Sequence, residues 1–199
     1  HLREPGFEYK ETIASGTRAA ARGGFTSVVC MPNTNPPVDN RAVVEFILAE
    51  AARNGAVRVY PIGAITKGRR GEELSEMADL AAAGVVAFSD DGNTVMNAAV
   101  MRRALEYGKM LDLPLSVHCE DVHLAGQGLM NEGRMSTLLG LPGQTRAAES
   151  VIIARDVELA RLTGGRIHFA HVSTKEGVDL IRRAKELGLR VSAEATPHH

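Results

Sequence analysis

The sequence predicts an α/β fold of the TIM-like (β/α)8 barrel type, given as its middle part, and three observations carry that prediction. Short β-branched or apolar runs alternate with amphipathic helical stretches along the whole chain of 199 residues. Each run starts just after a glycine or proline that closes the stretch before it. Side chains capable of chemistry gather where the runs end, the face on which barrels build their active sites.

The elements follow in order. Thr12–Arg22 reads as a helix stopped by Gly23–Gly24, and Phe25–Cys30 as the first apolar run. Arg41–Ala52 is the next helix, with Val44, Phe46, Ile47 and Leu48 apolar; Gly55 and the run Val57–Ile62 follow. Glu72–Ala83 leads through Gly84 to Val85–Phe88, and Ala98–Leu111 leads through Pro114 to Leu115–His118. Ala147–Leu162 precedes Gly164–Gly165 and Arg166–His171, and Lys175–Leu187 precedes Gly188 and Arg190–Glu194. Glycine ends helices because it alone takes the left-handed conformation without steric cost. Short apolar runs suit strands covered on both faces, and strict alternation with helices makes the sheet parallel.

The spacing breaks only at Asp121–Arg146, a Gly-rich insertion whose residues choose neither a lid over the site nor an oligomer contact. No linker divides the chain, so residues 1–199 read as the central part of one barrel domain. A doubly wound sheet would carry Gly-x-Gly-x-x-Gly after its first strand, and that turn is missing. A closed barrel needs eight strands and usually about 250 residues. His1 reads as the tail of one strand, and both His1 and His198–His199 read as cuts through a longer protein.

Composition bounds the partners. The chain is 44% hydrophobic, with 23 basic and 24 acidic side chains and a net charge of −1. Charges of both signs are scattered, which leaves no electrostatic footprint for nucleic acid or an anionic membrane. No apolar run approaches the roughly 18 residues of a membrane helix. Two cysteines, Cys30 and Cys119, are too few for a disulfide framework and fit a reduced, cytoplasmic setting.

The chemistry concentrates in three motifs. In Leu-Ser-Val-His-Cys-Glu-Asp, alternation puts Ser116 and His118 on one face, toward the barrel interior, and Leu115 and Val117 on the other. In Arg-Ile-His-Phe-Ala-His-Val-Ser-Thr, the same rule groups Ile167, Phe169 and His171 and sends His168 toward the helices. In Val-Val-Ala-Phe-Ser-Asp-Asp-Gly, Asp91 shares the smaller interior set, while Asp90 goes with Phe88 and suits a turn cap. A lone strand histidine is more often a hydrogen-bonded core group. Two imidazoles and a carboxylate at three consecutive strand ends instead match the ligands of a catalytic divalent metal. His123 and His168 read as structural, and both cysteines as inert.

At this point the motifs resemble those of dihydroorotases, cyclic amidohydrolases of the amidohydrolase superfamily. His1–Gly6 (His-Leu-Arg-Glu-Pro-Gly) is similar to the end of the family's first-strand His-x-His-Leu-Arg motif, and Cys30–Pro37 to its second-strand signature. Phe-Ser-Asp-Asp-Gly, Val-His-Cys-Glu-Asp, His-Val-Ser-Thr-Lys and Ala-Thr-Pro-His-His resemble the ends of its fourth to seventh strands. The likeness spans the chain in the right order.

The resemblance implies His1 as a ligand of a first metal, Asp91 as the bridging carboxylate of the type I branch, and His118 and His171 as ligands of a second metal. Arg3 and Asn33 would hold the substrate carboxylate, a task for which a guanidinium fork is suited. It further implies zinc, one or two ions, and reversible cyclisation of N-carbamoyl-L-aspartate to L-dihydroorotate in pyrimidine biosynthesis. A homodimer and a complex with aspartate carbamoyltransferase are both left open. No catalytic residue falls inside the chain: the proton-shuttling aspartate of the eighth strand would lie beyond His199, and the 199 residues alone are expected to be inactive. The alternatives are an allantoinase- or hydantoinase-type cyclic amidohydrolase, where a lysine is expected in place of Asp91, an inactive scaffold subunit lacking metal ligands, and a metal-free binding module. His198 and His199 stay without an assigned role.

Overall fold

The computed structural model describes residues 1–199. Its first segment is irregular chain rather than the expected strand tail, anchored by the buried side chain of Leu2. Helix α1 (Ile13–Arg22) starts at Thr12, whose hydroxyl accepts from the Ser15 N–H while Ser15 Oγ accepts from the Thr12 N–H, both at 3.0 Å. That reciprocal pair satisfies two of the four N–H groups a helix start leaves open. Strand β1 (Ser27–Cys30), helix α2 (Arg41–Asn54) and strand β2 (Arg58–Pro61) follow, with β1 and β2 parallel and Ser27 opposite Arg58.

Helix α3 (Met77–Ala83) begins later than its sequence pattern predicts. The preceding residues are drawn into the loop after β2: Leu74 bridges Thr66, and the Ser75 hydroxyl donates to Ala64 O at 2.6 Å. Helix α4 (Ala98–Met110) leads to strand β3 (Leu115–Val117). Between α3 and α4, the run Val85–Phe88 forms no extended ladder. It is stitched in by parallel bridges from Phe88 to Gly63 and to Leu115. Its main chain is nevertheless bonded on both sides, Val86 N to Pro61 O, Ser89 N to Gly63 O and Ser116 N to Phe88 O.

The insertion folds as a small unit of its own: helix α5 (Val122–Ala125), strand β4 (Met130–Asn131), helix α6 (Arg134–Leu139) and strand β5 (Gly143–Gln144), β4 and β5 being parallel. Helix α7 (Ala147–Thr163), strand β6 (Ile167–Phe169), helix α8 (Lys175–Glu186) and strand β7 (Val191–Ala193) complete the chain. The ladder order is β3–β6–β7, all parallel. With Phe88 as the join, the main strands run in sequence order and in one direction, so their C-terminal ends share one rim. Leu115, Val117, Ile167 and Phe169 belong to the single apolar core, with Ile152 and Ile153 of α7 and Leu105 of α4. Burying a side chain such as Phe88 or Phe169 contributes about 2–3 kcal/mol.

The register corrects one orientation. Leu115 sits opposite Ile167 and Ser116 opposite His168, and paired residues of parallel strands point to the same face. Ile167 and Phe169 therefore face the helices along with Leu115. His168 faces the polar side with Ser116 and Ser192, bonded to Ser192 Oγ at 2.9 Å. Alternation fails for His171 because the strand stops at Phe169 and the chain turns, His171 adopting φ +40°.

Candidate metal centre

Asp91, His118 and His171 meet at the common rim. Asp91 follows the Phe88 join, His118 follows β3, and His171 sits on the turn after β6. One donor atom from each lies within 4.8 Å of the others. His118 Nδ1 and His171 Nε2 are 3.1 Å apart, and His171 Nε2 is 3.8 Å from Asp91 Oδ1. Two donors on one tetrahedral zinc, at bonds of 2.0–2.2 Å, stand about 3.4 Å from each other. The donor spacing and chemistry fit a divalent cation.

The protonation states of Asp91 and His118 lean the same way. Burial would raise the Asp91 carboxyl, but the His171 imidazole beside it and the charges of His118 and Arg69 outweigh it and hold the group below its ordinary range. Burial, then repulsion from His171, pushes His118 down, which leaves its lone pair free. His171 is pushed up, chiefly by the Asp91 carboxylate beside it.

His1, Arg3 and Asn33 stand on the other side of Asp91. His1 Nε2 is 3.4 Å from Asp91 Oδ2, while His1 Nδ1 donates to Asn33 Oδ1 at 3.0 Å. Asn33 Nδ2 donates to Asp91 Oδ2 at 2.9 Å, so one amide spans both residues. Arg3 donates to the Asn33 main-chain oxygen at 3.4 Å. With Nδ1 engaged by Asn33, His1 turns its Nε2 toward the carboxylate. All six residues singled out in the sequence thus fall in one cluster.

The remaining expectations sort out locally. The Asp90 carboxylate holds a neighbouring loop and does not cap its own turn: it accepts from the Ile65 and Thr66 N–H groups at 2.9 and 3.1 Å and from the Thr66 hydroxyl. His123 is exposed, and His199 closes a turn on Thr196. Cys30 and Cys119 are free and buried; burial lifts the Cys30 thiol to about 11 and Cys119 well above its usual value, so both stay protonated.

Two contributors carried no sequence signal. Glu149 of α7 accepts from Ser173 N at 2.9 Å and Thr174 N at 2.8 Å, and from both hydroxyls, which fixes the start of α8 beside His171. Arg69 donates to the main-chain oxygens of Asp91 and Asp90. Only the tertiary path of the 66–71 loop brings it there.

The family model described as "Dihydro-orotase-like" matches residues 1–177. The chain belongs to the dihydroorotase-like family. Over all 199 residues it is 59% identical to the dihydroorotase of Caldanaerobacter subterraneus subsp. tengcongensis and 62% identical to that of Pelotomaculum thermopropionicum. The chain spans about half of each of these relatives, 46% of their length. Among solved structures, the L-hydantoinase (dihydropyrimidinase) of Arthrobacter aurescens superposes with a TM-score of 0.76 at 21% identity, over 93% of this chain and 42% of that one. A D-hydantoinase from Bacillus sp. AR9 gives 0.74 at 21% identity, over 100% and 45%. The dihydroorotase-like chain therefore shares its α/β fold with hydantoinases and its sequence with dihydroorotases. No helix in it is long and apolar enough to cross a membrane.

Proposed function

We propose that the protein containing this chain is a dihydroorotase, interconverting N-carbamoyl-L-aspartate and L-dihydroorotate in pyrimidine biosynthesis, with zinc as its metal and a (β/α)8 barrel as its complete fold. The observation that carries the reading is the meeting of Asp91, His118 and His171 at one rim, with Asn33 bonded to Asp91 and Arg3 bonded to the Asn33 main chain.

In this reading Asp91, His118 and His171 hold the metal, with His1 as a further ligand. A divalent cation supplies Lewis acidity: it polarises a carbonyl oxygen and brings the pKa of water toward about 7. The rest is positioning by the chain. Arg3 presents a planar pair of N–H donors to the substrate carboxylate, and Asn33 adds an amide beside it. Anchoring that carboxylate turns the ring amide toward the metal side and converts binding energy into orientation. Asp91 keeps its charge, and His118 and His171 keep their rings aimed at one point.

The fold is also that of hydantoinases, which makes a hydantoinase-type reaction the second reading. Identities near 60% to dihydroorotases against 21% to hydantoinases favour the first, as does Asp91 where a lysine is expected in the second. Purified full-length protein assayed on dihydroorotate, allantoin and hydantoin decides between them, and turnover of hydantoin without dihydroorotate overturns the proposal. The same preparation shows whether His118→Ala and His171→Ala lose zinc and most activity; full turnover in both refutes the site. For the whole protein, a homodimer and a complex with aspartate carbamoyltransferase are the assemblies to test, by sedimentation alone and mixed with the transferase. A cytoplasmic location belongs to the same proposal and is supported by the two reduced thiols.

A further inference from the structure

The loop 66–71, after β2, crosses the turn that carries Asp91, and the two are laced together in both directions. From the turn, the Asp90 carboxylate accepts from Ile65 and Thr66, and Asn93 Nδ2 donates to Arg69 O at 2.8 Å. From the loop, one terminal nitrogen of Arg69 donates to Asp91 O and reaches Asp90 O at 3.5 Å. On its other side the Asp91 N–H donates to Ser89 Oγ at 3.0 Å. Both peptide groups of Asp91 are therefore held from outside the residue, which sets the direction in which its carboxylate leaves the chain.

Arg69 is an unexpected group for that place. Its backbone is left-handed, at φ +57°, a region that disfavours side chains other than glycine. Its Nε is buried with no hydrogen-bond partner, although buried donors are nearly always paired. Backbone strain of this kind persists where the surroundings over-determine it, and such sites cluster at function. A single guanidinium nitrogen reaches the two successive carbonyls.

We infer that Arg69 is a positioning residue for the metal centre: by holding the Asp90 and Asp91 carbonyls it aims the Asp91 carboxylate at the point where His118 and His171 converge. The inference rests on the reading of Asp91 as a ligand. It deepens that reading by adding a partner outside the ligand set, a layer whose removal typically costs 10–100-fold in metal affinity.

The test uses the full-length protein and its Arg69→Met and Arg69→Lys variants. Zinc dissociation constants are measured by competition with a chelator, and kcat and KM at limiting and saturating zinc, with melting of the metal-free forms as a control. Arg69→Met is expected to bind zinc about 10–100-fold more weakly, with its metal-free melting close to wild type. Its KM should be unchanged and its kcat should recover as zinc saturates, while Arg69→Lys should recover part of the affinity. Zinc binding equal to wild type in Arg69→Met overturns the inference. If that variant does not fold, Arg69→Lys decides: wild-type zinc affinity there overturns the inference, and an intermediate loss upholds it. A wild type that takes up no zinc overturns the metal reading together with this one, whereas a zinc-binding wild type matched by its variants overturns this one alone.

Discussion

His118 Nδ1 and His171 Nε2 face each other at 3.1 Å, yet the two imidazoles are driven in opposite directions, because the Asp91 carboxylate stands beside His171 while His118 is the more buried of the two. A facing pair without a cation must place one proton between them.

That asymmetry sets a pH dependence for the metal-free protein. His171, raised above 6.5, contributes stability that is complete below pH 6.5 and is lost as pH climbs through its folded value. His118, lowered below 6.5, contributes in the reverse sense: its share is complete above pH 6.5 and is lost as pH falls toward its folded value. The pair therefore gives a stability maximum near pH 6.5. Denaturant titrations of chelator-treated protein from pH 5 to 8 should show it, and the maximum should flatten in His118→Gln/His171→Gln. A profile identical in the double variant would contradict this.

Asn33→Ala removes the amide that joins His1 to Asp91. A hydrogen bond to a charged group is worth about 1.5–3 kcal/mol, or about 10–100-fold. The variant should lose that much in kcat/KM for dihydroorotate, with both zinc affinity and KM affected. Steady-state kinetics with zinc titration read both effects, and an unchanged kcat/KM would remove Asn33 from the site.

Glu149→Ala strips four acceptor contacts from Ser173 and Thr174 at the start of α8. Stability should fall by about 2 kcal/mol, measured by urea unfolding. Because His171 stands just before this turn, zinc affinity should fall as well. Glu149→Gln, which keeps acceptor oxygen but not charge, should lose less of each.

Asp156 is 1% exposed and paired with Arg155 at 2.7 Å. Burial lifts its carboxyl to about 6 in spite of the arginine. A raised carboxyl contributes stability that is complete below its ordinary value of 3.8 and is lost as pH rises through about 6. Asp156→Asn should remove that slope between pH 4 and 6. Asp156→Ala, which leaves Arg155 with Met96 O as its remaining partner, should cost about 3 kcal/mol. Unfolding midpoints across that pH range test both.

The parts of this fold readable from sequence are those written in local physics. Glycines close helices at Gly84 and Gly164, where φ is left-handed, and β-branched runs after them become strands. Asp91, His118 and His171 were readable because each ends such a run. Parity serves Ser116 but misplaces His168 when it is counted through His171, because the strand ends at Phe169 and the chain turns before that residue. Val85–Phe88 looks like a strand and is joined through single bridges at Phe88. Arg69 was invisible: within Lys67-Gly68-Arg69-Arg70 it reads as one more solvated cation, and its meeting with Asp91 depends on a loop path that no local pattern encodes.

The parallel run of the strands has a practical corollary. Every chemically active side chain sits at one rim, so the opposite rim, where helices hand over to strands, is free of such duties. The turns at Gly24 and Gly188 also leave open space around the position a side chain would fill. A fluorescent tag or surface tether grafted at either turn would stand a full strand length, about 10 Å or more, from the ligands, and should leave metal uptake intact.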